Sequence, residues 1–281
     1  MNLLQETKYI MDKYDVHPNK RLGQNFLFDE NALNKIAENV TKEDTIIEIG
    51  PGLGTLTKYL LEKAGKVICI ELDTKMLKIL EDRFSLYNNF EIINEDVLKV
   101  DLKNIIKTEK ENTKIKNAKI VANLPYYITT PIIMKLLEEK LDLESITVMI
   151  QKEVADRLIA IPGQKNTGAI TYTVYYYATS EGIMEVPNNS FIPEPEVTSK
   201  VIKLNIRKEQ VVKPKDKEKM FKIIKYAFTQ KRKTLLNSLT NNKIFNNKQK
   251  GIEILNSLEI NENIRPEELT LQQFEKISDN L

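Results

Sequence analysis

Apolar residues recur along the chain in two rhythms, and their alternation predicts an architecture. Short runs rich in β-branched residues, at 45–49, 67–72, 90–93, 119–122 and 145–150, have the pattern of strands buried on both faces. The stretches between them carry apolar residues at helical spacing. Asp29 and Asn31 offer caps for a helix to about residue 39, with Leu33, Ile36, Ala37 and Val40 on its inner face. Further helices are expected at 55–63, 74–84, 130–139 and 152–159, and Thr130-Pro131 puts a proline in a first turn, where it is tolerated. Strand and helix in strict succession mean a parallel sheet with helices on its faces.

Residues 1–20 read as an amphipathic helix, with Leu3, Leu4, Ile10, Met11 and Tyr14 near helical spacing, ending around His17-Pro18. Residues 99–117 are polar and read as a helix plus a loop. Segment 168–179 is ambiguous, because its Thr, Val and Tyr residues favour a strand while its length argues against one. Strands at 182–186 and 197–206 bring the sheet to seven, mostly parallel. From 207 the pattern becomes a polar linker followed by helical periods at 217–227, 231–239, 248–258 and 270–281. The expectation is an α/β domain over 1–206 and a small all-helical domain over 207–281.

Composition excludes several classes. With 41% hydrophobic and 29% charged residues, the 281-residue chain is neither disordered nor membrane-embedded. Apolar runs such as 147–150 fall far short of a bilayer span, and the polar, acidic start does not resemble a signal peptide, so a cytoplasmic protein is expected. One cysteine, Cys69, and one histidine, His17, leave no cluster for zinc and no pair for His-based acid–base chemistry. Cys69 stands in an apolar run, where a buried inert thiol is the simpler reading than a nucleophile. The net charge is only +2, but of twelve basic residues between 203 and 233 the first is Lys203 and the last Lys233, against Glu209, Asp216 and Glu218, which puts +9 there and −7 elsewhere. A solvated helix face usually mixes signs, whereas so one-sided a run suits phosphates and hence nucleic acid.

Candidate chemistry gathers where strands end. The first strand runs into Gly50-Pro51-Gly52-Leu53-Gly54, and glycines there let the backbone approach a ligand while the next helix presents its N–H groups. Glu71 ends the second strand, 21 residues after Gly50, where a Rossmann-like fold holds ribose hydroxyls. A dinucleotide fingerprint wants its third glycine at the position of Thr55, and Glu48 stands inside the strand. A carboxylate there repels a pyrophosphate but tolerates a sulfonium and an ammonium, which favours S-adenosylmethionine over NAD. A strand–helix turn without a ligand is the other reading. Asp96, after the third strand, can bind an adenine amino group.

The fourth strand delivers Asn123-Leu124-Pro125-Tyr126-Tyr127. The Asn123 amide oxygen can accept from an exocyclic amine, a neighbouring carbonyl can accept a second bond, and Tyr126 can stack on a flat base. An ordinary turn after a strand explains the same residues. Lys20-Arg21-Leu22-Gly23-Gln24-Asn25-Phe26-Leu27 suits a loop over a polar ligand. The three prolines of 187–195 make a stiff loop, in which Phe191 is expected to be presented rather than buried.

Taken together, Gly23-Gln24-Asn25-Phe26-Leu27, Glu48-Ile49-Gly50-Pro51-Gly52-Leu53-Gly54-Thr55-Leu56-Thr57, Asn123-Leu124-Pro125-Tyr126, Gln151-Lys152-Glu153-Val154, Phe191-Ile192-Pro193-Glu194-Pro195-Glu196-Val197-Thr198-Ser199 and Arg232-Lys233-Thr234-Leu235-Leu236-Asn237-Ser238-Leu239 resemble the small-subunit ribosomal RNA adenine dimethyltransferases. The resemblance spans nearly the whole chain in the same order. It implies a helix at 168–179 and a Rossmann-like S-adenosylmethionine-dependent methyltransferase sheet. It also implies cofactor contacts from Asn25, Leu27, Gly50, Glu71, Asp96 and Asn123, and a base walled by Tyr126 and Phe191, its amine held by Asn123 and the Leu124 carbonyl. The implied reaction places two methyl groups on the 6-amino group of each of two adjacent adenosines near the 3′ end of small-subunit RNA, in a pre-ribosomal particle, with a monomeric enzyme. Two alternatives stay open. Large-subunit methyltransferases of the macrolide-resistance type also resemble the catalytic region, but their usual Asn-Ile-Pro-Tyr and Ser-Gln-Asn-Phe are here Asn-Leu-Pro-Tyr and Gly-Gln-Asn-Phe. A non-catalytic RNA-binding assembly factor of the same fold is the other.

Overall fold

A computed structural model describes residues 2–19, 23–112, 116–164, 166–230 and 232–281. Lys20, Arg21 and Leu22 of the expected ligand loop, and Lys231 of the basic run, lie outside the described residues. In chain order the elements are α1 (Leu3–Lys13), β1 (Phe26–Leu27), α2 (Glu30–Ile36), β2 (Asp44–Ile49), α3 (Thr55–Lys63), β3 (Lys66–Glu71), α4 (Thr74–Phe84), β4 (Phe90–Asn94), α5 (Leu102–Asn112), β5 (Asn117–Asn123), α6 (Thr129–Glu138), β6 (Ser145–Gln151), α7 (Lys152–Ile159), α8 (Ala169–Tyr177), β7 (Ala178–Val186), β8 (Phe191–Ile192), β9 (Ser199–Ile206), α9 (Lys217–Ala227), α10 (Leu235–Asn241), α11 (Lys248–Ser257) and α12 (Leu271–Asp279). Among the described residues no helix is long and apolar enough to cross a membrane.

The chain divides into two compact units, 1–155 with 181–206, and 156–180 with 207–281. The first holds a seven-stranded sheet in the order β4-β3-β2-β5-β6-β9-β7. Its first five strands pair in parallel, and β9 runs antiparallel to β6 with Ser199 opposite Gln151. All six residues of β2 are buried, Asp44 and Glu48 included, as are six of the seven in β6, which is why neither stretch shows the apolar–polar alternation of a half-exposed strand. A separate two-stranded ribbon, β1 with β8, pairs Phe26 with Ile192 and Leu27 with Phe191.

The helix α1 has a reason to be there. Its Glu6 pairs with Lys58 on α3 and with Arg83 on α4, at 3.4 and 2.9 Å, and Arg83 also donates to the Leu53 carbonyl inside the glycine turn. The first helix thus buttresses the turn through one shared arginine.

In the second unit, α8 ends the ambiguity of 168–179 in favour of a helix. Most of its residues are buried, and Tyr172 packs against Phe228 and Phe274 with ring centroids 5.5 and 5.0 Å away. Segment 156–180 therefore sits with the helices after 207, so the boundary expected at 206 is one of several crossings between the units.

Candidate active site

Four parallel strands carry the expected residues to one edge of the first unit. In sheet order they are β4, followed by Asp96, β3, ending in Glu71, β2, followed by Gly50, and β5, ending in Asn123. Neighbouring strands lie about 4.8 Å apart, so the row is about 14 Å long. These residues line one cleft together with Asn25, Leu27, Leu124 and Tyr126. All of the expected site residues except Phe191 are thus brought together.

Glycine conformation shapes the cleft floor. Gly54 is the left-handed N-cap of α3 at φ +78°, and a Cβ there would meet Phe84 at 2.4 Å and Leu80 at 2.9 Å. The third glycine of the turn therefore comes one position early because the chain reverses against α4 at that point. Glu71 is 7% exposed, and its Oε2 accepts from the Gly52 N–H at 3.2 Å while Oε1 accepts from the Asp73 N–H at 2.9 Å. Burial raises its pKa, and these backbone bonds oppose the rise.

Glu48 is 1% exposed, and its Oε2 accepts from the Thr57 hydroxyl at 2.7 Å and from the Cys69 thiol at 3.5 Å. Burial dominates and pushes its carboxyl from the ordinary 4.5 to about 7, while the same burial, with Glu48 beside it, pushes the Cys69 thiol up. Cys69 is an inert thiol in this setting, whereas Glu48 is a carboxylate poised near neutrality at the cleft.

Over the cleft lies the segment leading into β1. The Asn123 Nδ2 donates to the Asn25 carbonyl at 3.3 Å, which leaves the amide oxygen as the end able to accept from a ligand. Gln24 Nε2 donates to Asp73 Oδ2 at 2.9 Å, just past Glu71. Leu124 lines the cleft but is 1% exposed, and its backbone N–H is taken by the Met149 carbonyl at 3.1 Å. Tyr126 stands in a 3₁₀ turn, Tyr126–Ile128, with its phenol 2.6 Å from the Ser199 hydroxyl, and burial raises the phenol pKa. Tyr127 is 56% exposed.

Phe191 corrects an expectation. It is 3% exposed and belongs to the core, because the β1–β8 ribbon sets it opposite Leu27. The proline-rich segment does not present this ring but is tied down by it, and by Ser190, whose hydroxyl donates to Asp29 Oδ2 at 2.9 Å. Neither the ribbon nor the Tyr126–Ser199 bond left a signal in residue spacing.

The basic run is divided in use. Arg207 donates to the Tyr175 and Ala178 carbonyls, and Lys217 to the Tyr177 phenol, so both have structural work within the second unit. Lys219 and Lys222 of α9 instead line a groove with Lys243 and Lys250, over Ile223 and Ile244.

Comparison with known proteins agrees with this geometry. Residues 16–281 match the ribosomal RNA adenine dimethylase family. The ribosomal RNA small subunit methyltransferase A of Alkaliphilus oremlandii is 44% identical over 279 residues, 99% of this chain and 96% of the relative. That of Alkaliphilus metalliredigens is 46% identical over 271 residues, 96% and 93% of the two chains. A solved dimethyladenosine transferase from Plasmodium falciparum superposes with a TM-score of 0.72 at 27% identity, covering 90% of this chain and 95% of that one. With a seven-stranded α/β sheet, a glycine turn and an asparagine at the end of β5 all in the places the motifs predict, the chain belongs to the ribosomal RNA adenine dimethylase family.

Proposed function

We propose that the chain uses S-adenosylmethionine to dimethylate the 6-amino groups of two adjacent adenosines near the 3′ end of small-subunit ribosomal RNA, acting as a cytoplasmic monomer on a pre-ribosomal particle. The observation that carries this reading is the row Asp96, Glu71, Gly50, Asn123 along four neighbouring strand ends, with the Asn123 amide turned by Asn25. The relatives at 44% and 46% identity are both small-subunit enzymes by name, which favours that particle over the large one.

The donor set suits S-adenosylmethionine, which supplies an activated methyl group when bound. Asp96 would accept from the adenine amine and Glu71 from the ribose hydroxyls, its backbone-held oxygens keeping lone pairs to spare. Glycines leave room for close approach at Gly50 and Gly52, and Glu48, which lines the same cleft, would favour a cationic group there.

The protein's part in the reaction is positioning. An aromatic amine is a poor nucleophile because its lone pair is delocalised into the ring. Hydrogen bonds from its two N–H groups to the Asn123 oxygen and the Leu124 carbonyl favour a tetrahedral nitrogen with the lone pair free. Tyr126 walls the base, which must be reached outside a stacked helix. The methylated amine is acidic and loses its proton to solvent, so no general base is needed. Positioning of this kind is worth up to about 7–11 kcal/mol. At the second methylation only one N–H remains, so Asn123 and Leu124 then compete for it.

Primer-extension mapping of adenines on small and large ribosomal particles incubated with the protein tests the proposal. Stops at two adjacent adenosines on the small particle are expected. Stops on the large particle would assign the macrolide-resistance reading, and stops on neither would assign the non-catalytic one.

A further inference from the structure

We propose that Ser199 is a positioning residue for methyl transfer, acting through the Tyr126 hydroxyl to hold the Tyr126 ring at the angle a flat base requires. The inference rests on the function proposed above and deepens it at the same site.

Ser199 closes the proline-rich motif, yet that motif's resemblance assigns it no work. It is fully buried, opens β9, and pairs with Gln151 at the end of β6. Its Oγ lies 2.6 Å from the phenol oxygen of Tyr126, and it does not line the cleft, whereas Tyr126 does. Tyr126 begins a three-residue turn that runs from extended Pro125 directly into α6, so no preceding helical turn packs against its ring to fix the side-chain torsions. The phenol oxygen is the far end of that side chain. Tying it to a buried strand residue locks both torsions, so the ring is fixed at its backbone and at its tip. Ring stacking alone requires no hydroxyl at all; a hydroxyl held by a buried serine is what a fixed plane requires.

The other end of the same segment is fastened independently. Ser190 bonds Asp29, and its carbonyl accepts from the Phe28 N–H at 3.0 Å. Residues 190–199 therefore run from the cofactor-side ribbon to the base-side turn with a serine anchor at each end.

A double-mutant cycle on small-subunit particles tests this, with kcat, RNA KM and cofactor Kd measured for each variant. Ser199→Ala and Tyr126→Phe are each expected to lower kcat about tenfold, with KM and Kd within twofold of the unmodified chain. The double variant is expected to fall no further than either single one, because both remove the same bond. Losses that multiply in the double variant, or an unchanged kcat in Ser199→Ala, would overturn the inference. If Ser199→Ala does not fold, Ser199→Cys replaces it in the cycle with the same expected non-additivity. Methylation of neither particle by the unmodified chain would overturn the proposed function and this inference together, whereas methylation with multiplicative losses would overturn this inference alone.

Discussion

The side-chain amide of Asn123 has a donor end and an acceptor end, and the Asn25 carbonyl decides which one the cleft receives. Asn123→Ala removes the acceptor without touching the glycine turn or Glu71. It should keep S-adenosylmethionine affinity by calorimetry while kcat falls roughly 10²–10³-fold, the usual effect of deleting one oriented polar group in a site. Glu48 is the second residue whose setting makes a sharp statement. Burial raises its carboxyl to about 7 in the folded chain, against the ordinary 4.5, so between those values the folded chain binds more protons than the unfolded one. Stability therefore falls as pH rises through that window and is flat above it. Glu48→Gln removes the penalty, and denaturation at pH 8.5 should show a ligand-free gain on the order of 3 kcal/mol, shrinking towards pH 5. The same substitution should weaken cofactor binding at pH 8.5, where the native carboxylate faces a cation, and flatten the rise of affinity with pH.

At the scale of elements, the β1–β8 ribbon changes what Phe191 is expected to do. A buried ring tolerates a branched aliphatic of similar volume better than a stacking ring does. Phe191→Leu should therefore keep methyl transfer within a few-fold, while Phe191→Ala should lower stability by about 3–5 kcal/mol in chemical denaturation. An inactive but stable Phe191→Leu would restore the base-wall role. Gly54→Ala should destabilise by roughly 2–4 kcal/mol, from the left-handed backbone and the collision with Phe84, checked by the shift of the same transition. The sequence made Gly50, Glu71, Asp96 and Asn123 legible because each ends or follows a short strand rich in β-branched residues, buried in β2, β3 and β5 and only partly so in β4, and parallel strands deliver such ends to one edge. It could not show the ribbon, because two strands of two residues each, far apart in the chain, carry no periodicity. Segment 168–179 resisted for a different reason. Tyr172 and Tyr176 are strand formers by propensity, but a helix buried on nearly every side by Phe228, Phe274 and Phe221 overrides that preference.

At the scale of the whole chain, the division into two units explains why the net charge conceals a basic surface. The lysines at 219, 222 and 243 line a groove of the second unit and make no ion pair among the described residues, while Lys250 is paired with Glu253 at 3.1 Å. If the groove meets phosphates, changing the three to glutamine should weaken RNA binding at low salt and reduce the salt slope by about 2, since each phosphate contact contributes about 0.7–0.9. An unchanged slope would remove the groove from the interface. The central claim is that the row of strand ends holds cofactor and base for transfer to the amine of adenine. Its most direct measurement is nucleoside mass spectrometry of small-subunit RNA after incubation with S-adenosylmethionine and either the unmodified chain or Asn123→Ala. The account predicts N6,N6-dimethyladenosine at two adjacent positions with the unmodified chain and almost none with Asn123→Ala. Equal dimethylation by the two proteins would contradict it.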